Sequence, residues 1–178
     1  MQLLMRFPLF FLPRLLVVAM LGALLAACSS VNVPPPLEQS KLELTIVAAD
    51  DVNPDDKGRA SPILIRIYEL KSDGPFQEAD FFTLQKQDKL TLGADMLAKD
   101  EFILRPGQTK FIRRKTQPDT TAIGILAGYR QLGTAVWRIV YKLNPAPEAA
   151  WYRMVVPANK TKLNIELQTN DINLTALD

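Results

Sequence analysis

Ile63-Leu64-Ile65-Arg66-Ile67-Tyr68-Glu69-Leu70 sets Ile63, Ile65 and Ile67 against Leu64, Arg66 and Tyr68, a period of two. Upstream, Lys41 to Ala49 repeats the pattern, with Leu42, Leu44 and Ile46 alternating with Lys41, Glu43 and Thr45. Alternation of this kind marks a strand with one buried face. The two runs bracket Asp50 to Ala60, Asp-Asp-Val-Asn-Pro-Asp-Asp-Lys-Gly-Arg-Ala, which is dense in turn formers, and Ser61-Pro62 extends the break.

Beyond Leu70 the punctuation continues. Asp73-Gly74-Pro75 is a turn, after which Phe76, Ala79, Phe82 and Leu84 fall near helical spacing and predict a helix over Gln77 to Gln87, closing one side of a sheet. A shorter helical turn is expected at Ala94 to Ala98. Extended runs follow at Glu101–Leu104, Thr109–Lys115, Ala122–Tyr129, Val136–Leu143, Arg153–Val156 and Thr161–Gln168, separated by Pro-, Gly- and Asn-containing breaks. The reading is a mainly β chain, an antiparallel sandwich or barrel with one or two short added helices.

Upstream of the strands lies a different kind of sequence. Arg6 and Arg14 precede the apolar run Leu15–Leu25, and the run ends in Leu25-Ala26-Ala27-Cys28, where the chain has its single cysteine. This order is that of a bacterial lipoprotein signal: residues 1–27 form a cleaved leader and Cys28 is the lipidation site. The apolar stretch is shorter than the roughly 20 residues a bilayer core requires, which disfavours the competing reading of a short membrane anchor with an incidental cysteine. An S-diacylglycerol and an N-acyl chain on Cys28 tether the mature protein stably, since two chains already suffice. Ser29 rather than aspartate follows the cysteine, and by the enterobacterial rule this directs the protein to the outer membrane. Residues 28–40, with Pro34-Pro35-Pro36, read as a lipidated N-terminus and Pro-rich tether; a polyproline chain of the length Ser29–Ser40 spans about 30–40 Å. Residues 41–178 form the β domain.

Charge and composition remove several function classes. Of 21 basic and 19 acidic residues, Arg6 and Arg14 leave with the leader, so the mature chain balances at 19 of each. It has no global attraction for nucleic acid, and the pI of about 8.7 describes the precursor. The chain contains no histidine, which takes away the usual general base and the His-containing triads. No Ser-x-x-Lys, no zinc-type cluster and no phosphate-binding glycine loop is present. Asp51, Asn53 and Asp55 alternate like the first ligands of a calcium loop, but Asp56 stands where that loop needs glycine and Pro62 where it needs glutamate. No metal and no cofactor besides the lipid is expected.

Other residue groups have two readings. Arg113-Arg114-Lys115 is read first as an edge strand that resists pairing, with a second partner surface as the alternative. Trp137, Trp151, Tyr129, Tyr141 and Tyr152 are read as core or cross-strand aromatics in preference to a sugar platform. Arg130 and Arg138 are expected to pair with acids or to cover Trp137.

The set Asn53, Gly58 and Pro62, then Ile63–Leu70, Phe76, Ala79-Asp80-Phe81-Phe82, Leu84, Leu92-Gly93, Leu104, Pro106-Gly107, Ile123-Gly124-Ile125, Ala127, Tyr129-Arg130 and Trp137-Arg138 resembles the type VI secretion lipoprotein family TssJ, also called SciN or VasD. The resemblance implies a transthyretin-like β-sandwich on the periplasmic face of the outer membrane. It implies as partner the C-terminal periplasmic domain of the inner-membrane protein TssM, hence the TssJ-TssL-TssM membrane complex, and a structural, non-catalytic role. In that family the loop between the first two strands contacts TssM. Here that position holds Asp50, Asp51, Val52, Asn53, Pro54, Asp55, Asp56 and Lys57, read as apolar groups at a protruding tip with a charged rim. The alternatives are a lipid-anchored periplasmic module that binds a ligand or glycan, and a hydrolase built on paired carboxylates.

Overall fold

Alternation along the chain is realised as two facing sheets. The computed structural model describes residues 39–144 and 160–177; Cys28, Trp151, Tyr152 and the expected strand Arg153–Val156 lie outside them. The described strands are β1 (Lys41–Ala48), β2 (Ile63–Leu70), β3 (Met96–Leu104), β4 (Thr109–Lys115), β5 (Ala122–Ala127), β6 (Arg138–Lys142), β7 (Lys160–Leu167) and β8 (Ile172–Leu177). Two helices, α1 (Gly74–Glu78) and α2 (Phe81–Leu92), and a 3-10 turn at Gly93–Asp95 lie between β2 and β3. One sheet has the order β4-β1-β7-β8 and the other β3-β2-β5-β6. The expected mainly β, two-sheet sandwich is therefore observed, with one departure from antiparallel pairing: β1 and β7 run parallel, Leu44 opposite Leu163 and Ile46 opposite Ile165. No hairpin joins these strands, so nothing local imposes the antiparallel sense.

The core lies between the sheets. Leu42, Leu44 and Ile46 face Ile63, Ile65 and Ile67, with Ile123, Ile125, Leu163 and Ile165 alongside, each at most 1% exposed. Burying one such side chain stabilises by about 1.5–3 kcal/mol. The other face of β2 is covered too, because Tyr68 and Leu70 pack with Leu126 against Phe76, Phe81, Leu84 and Leu92 of the helical segment. Gly124 makes this approach possible: a Cβ there would stand 3.0 Å from Leu70 Cδ1 and from Phe76 Cε1.

The single helix expected over Gln77–Gln87 is two. Asp80 is extended (φ −74°, ψ 165°) and caps α2, its carboxylate accepting from the Thr83 amide at 3.0 Å and the Thr83 hydroxyl at 2.6 Å. Capping by aspartate wins over helical continuity because it satisfies the first-turn amides. Near the far end Gln87 leaves helical geometry, and Arg66 Nη1 reaches the carbonyls of Leu84 (2.9 Å) and Gln85 (3.0 Å). Arg66 also holds Glu101, while Asp88 accepts from Tyr68 and Lys99, so a polar cluster staples α2 to β2 and β3.

Strand limits differ where pairing overrides local signals. The turn expected at Ala94–Ala98 shrinks to Gly93–Asp95 because β3 begins at Met96 and pairs with all of β2, with a bulge at Glu69/Leu70. Strand β8, which no run of apolar residues announced, exists by pairing with β7 from Leu167↔Ile172 to Lys162↔Leu177. Arg114 of β4 turns inward to Glu69 and Asp100 and ties the two sheets together at one end. Among the described residues no helix is long and apolar enough to cross a membrane.

Candidate functional site

The β1–β2 loop folds as a base and a tip. At the base, Val52 is 0% exposed and belongs to the core between the sheets, and Asn53 is 3% exposed. This corrects the reading that set Val52 at the protruding tip: the loop bends back on itself, and its one aliphatic side chain fills the end of the sandwich. Asn53 takes φ +51°, a conformation that asparagine tolerates better than most residues. Its Nδ2 donates to the Pro62 carbonyl at 2.8 Å and its Oδ1 accepts from the Arg130 amide at 2.8 Å. Asn53 is thus a clamp that closes the loop and binds it to the β5–β6 connection, and it offers no surface to a partner.

Three other turns meet the loop at this end of the sandwich. The Asn53 amide donates to Thr169 O (3.1 Å), and the Thr169 hydroxyl donates to Asp51 Oδ2 (2.6 Å), joining the β7–β8 turn. Tyr129 Oη reaches Asp171 O at 2.5 Å. The β3–β4 turn docks through Gly107, whose amide donates to Ala48 O; its φ of +74° and the Asp50 carboxylate, 2.7 Å from where a Cβ would stand, require glycine.

The tip is Pro54 to Arg59, and Asp55 organises it. Its Oδ1 accepts from the amides of Lys57 (2.9 Å) and Arg59 (3.0 Å), and its Oδ2 from Arg59 Nε (2.8 Å). Gly58 at φ +74° and the bond from Asp55 N to Arg59 O (2.8 Å) complete the turn. The Arg59 side chain and these amides hold the Asp55 carboxyl below its ordinary range. Asp51 and Asp55 are thereby turned to different partners and do not converge as cation ligands. Asp50, Asp56, Lys57 and Arg59 remain exposed, and the tip carries both signs of charge.

The remaining candidates resolve individually. Arg138 Nη1 donates to the carbonyls of Phe76 (3.1 Å) and Ala79 (2.6 Å) at the end of α1, and its guanidinium covers Trp137 at 4.7 Å. Trp137 packs edge-on to Phe81, so it serves the core and is no open platform. Strand β4 is a sheet edge, as Arg113-Arg114-Lys115 predicted. A shallow cleft of about 210 Å³ is lined by Tyr141, Asn144, Lys160, Thr161, Lys162, Ala176 and Leu177. Among the described residues no three or more Cys, Asp or Glu side chains gather as a group that could hold a metal ion. Sequence reasoning missed the clamp because its partners, Pro62 and Arg130, lie 9 and 77 positions away; the tolerance of asparagine for positive φ was the available signal.

Comparison with known proteins agrees with this architecture. The model of the family described as type VI secretion lipoprotein, VasD, EvfM, TssJ, matches residues 40–170. The crystal structure of the T6SS lipoprotein TssJ1 from Pseudomonas aeruginosa is 34% identical over 81% of this chain and 98% of that one, with a TM-score of 0.68. Serratia marcescens Lip, a membrane-bound component of the type VI secretion system, is 32% identical over 79% and 99%, with a TM-score of 0.67. A chain of the structure "T6SS protein TssM C-terminal domain (869-1107) from EAEC" is 23% identical over 78% and 98%, with a TM-score of 0.57, and shares the fold. No curated protein matches. With its sandwich, its clamped first loop and a family match over most of its length, the chain belongs to the type VI secretion lipoprotein family of TssJ, SciN and VasD.

Proposed function

We propose that this chain is acylated on Cys28, resides at the periplasmic face of the outer membrane, and anchors the type VI membrane complex by binding the C-terminal periplasmic domain of TssM. The contact is made by the loop tip Pro54–Arg59 with Asp50 and Asp51, and the role is structural and non-catalytic. The observation that carries the reading is the organisation of the tip: Asp55 and Asn53 hold a protruding, mixed-charge turn in one conformation. A loop ordered before binding loses little conformational entropy when it docks, so more of its contact energy appears as affinity. Lipidation and membrane position rest on the Leu25–Cys28 motif.

The test is a binding titration of the leaderless, cysteine-free form with the TssM domain. Replacing Asp55–Arg59 by a short glycine turn, with Val52 and Asn53 kept, should abolish binding and leave the melting temperature within a few degrees. Unchanged affinity in that variant removes the tip from the interface. Fatty-acid labelling should mark the wild type and not Cys28→Ser, and an equally labelled Cys28→Ser protein refutes the anchor.

A further inference from the structure

The outer face of the β4-β1-β7-β8 sheet carries its charge unevenly. At the start of β1, Lys41 lies between Lys115 of β4 and Lys160 of β7. One step along the same face, Glu43 lies between Arg113 and Lys162. These two rows hold five cations and one acid, and Glu43 is shared by Arg113 (3.1 Å) and Lys160 (3.0 Å). Residues 28–178 as a whole carry 19 basic and 19 acidic residues, so acids are in excess away from these rows, and Asp50, Asp51 and Asp56 lie at the opposite end of β1. That strand of eight residues separates the two ends by roughly 23 Å.

Edge protection accounts for Arg113 and Lys115 on β4. It does not account for Lys41, Lys160 and Lys162, which lie on the two central strands, where pairing is already complete. Apolar side chains flank the rows on the same face: Phe111, opposite Thr45, is 72% exposed, and Leu177, opposite Lys162, is 49% exposed. The tether enters here as well. Ser40 pairs with Thr116 through its amide (3.2 Å) and its carbonyl (2.9 Å), so the segment from Cys28 joins the fold directly beside Lys41 and Lys115.

From these observations we infer that this basic face is a docking surface for anionic phospholipid headgroups of the membrane that holds the anchor. The inference rests on the acylation reading for its cellular setting, while the surface itself is independent of it. The occupant follows from charge complementarity and from the tether, which joins the fold beside these rows and limits their distance from the bilayer to about 30–40 Å. A weak contact suffices, because tethering makes it intramolecular. Docking would seat Lys41, Lys115 and Lys160 at the headgroups, with Phe111 and Leu177 at their border, and would turn the β1–β2 tip away from the membrane. The lipid would then set the orientation of the domain as well as its location.

Residues Pro35–Asp178 form one compact unit, so the form lacking the leader and Cys28 is suitable for the test. Its sedimentation is measured with vesicles of phosphatidylglycerol and phosphatidylcholine, and with phosphatidylcholine alone. We expect binding only with phosphatidylglycerol, lost in 0.5 M salt, where screening shortens the reach of these charges. Each cation near an anionic surface contributes a factor of about five, so Lys41→Glu/Lys115→Glu/Lys160→Glu should weaken binding about a hundredfold or more. An equal charge change elsewhere, Lys71→Glu/Lys86→Glu/Lys89→Glu, should not. Equal binding to phosphatidylcholine, equal losses in the two triple variants, or retention by cell-wall sacculi in place of vesicles overturns the inference. TssM binding by the first triple variant stays at the wild-type level, which separates failure here from failure of the anchor function.

Discussion

Asn53→Ala is the substitution that probes the loop clamp most directly. It leaves the Pro62 carbonyl and the Arg130 amide without partners at a position 3% exposed, and it puts alanine at φ +51°. An unsatisfied buried group costs about 1–3 kcal/mol, and a left-handed alanine about 1 kcal/mol more. Because water can reach the end of the sandwich, we take the lower part of the range, about 3 kcal/mol in total. For a domain near 150 residues this lowers Tm by about 6–12 °C. Asn53→Gly loses the same hydrogen bonds without the backbone strain, so it should be about 1 kcal/mol less destabilising than alanine. Urea titration of both variants gives the two differences, and a parallel titration with the TssM domain should show weakened binding although Asn53 itself is covered. Alanine costing under about 1 kcal/mol, or glycine being the worse of the two, would refute the clamp.

Three further outcomes follow from the packing. Glu69 is 1% exposed and accepts from Arg114 Nε (2.8 Å), the Gln117 amide (2.6 Å) and the Thr120 hydroxyl (3.2 Å), so Glu69→Ala should cost about 3–5 kcal/mol by urea titration, and adding Arg114→Met should recover part of it. Asp88 is held below its ordinary value of 3.8: burial by itself raises it, but the Lys99 ammonium, the Lys89 amide and the Tyr68 hydroxyl outweigh burial. A depressed folded pKa means that the contribution is present above 3.8 and is lost as pH falls through the folded value, so Asp88→Asn should flatten the loss of stability as pH falls below about 5 in acid titration. Gly124→Ala should destabilise by about 1–3 kcal/mol, read from its melting curve, with partial recovery when Phe76→Leu makes room.

Legibility in the sequence followed the range of the forces involved. Alternation in Lys41–Ala48 and Ile63–Leu70 is a property of one strand and one buried face, and both strands appear where the period predicted them. Asp80, by contrast, broke a helical pattern that Phe76, Ala79 and Leu84 supported, because a cap acts at a single residue, and the second helix ran past the expected Gln87 to Leu92. The parallel β1–β7 pair and the full length of β3 came from partners far along the chain. Composition marked the loop as a break and the family resemblance made it the candidate site, but its division into buried base and exposed tip was not legible, since Val52 carries no mark of the cavity it fills.

By itself the amino-acid sequence determined the mainly β character, the strands β1 and β2, and the resemblance that the family match bears out. Each depends on residue type and short spacing, which a linear chain displays. Only the tertiary structure decided that Asn53 faces Pro62 and Arg130, that Arg114 bridges the sheets, and that Lys41, Arg113, Lys115, Lys160 and Lys162 share one face. Those relations join residues brought together by sheet register, and register is set by the burial of whole strands against one another.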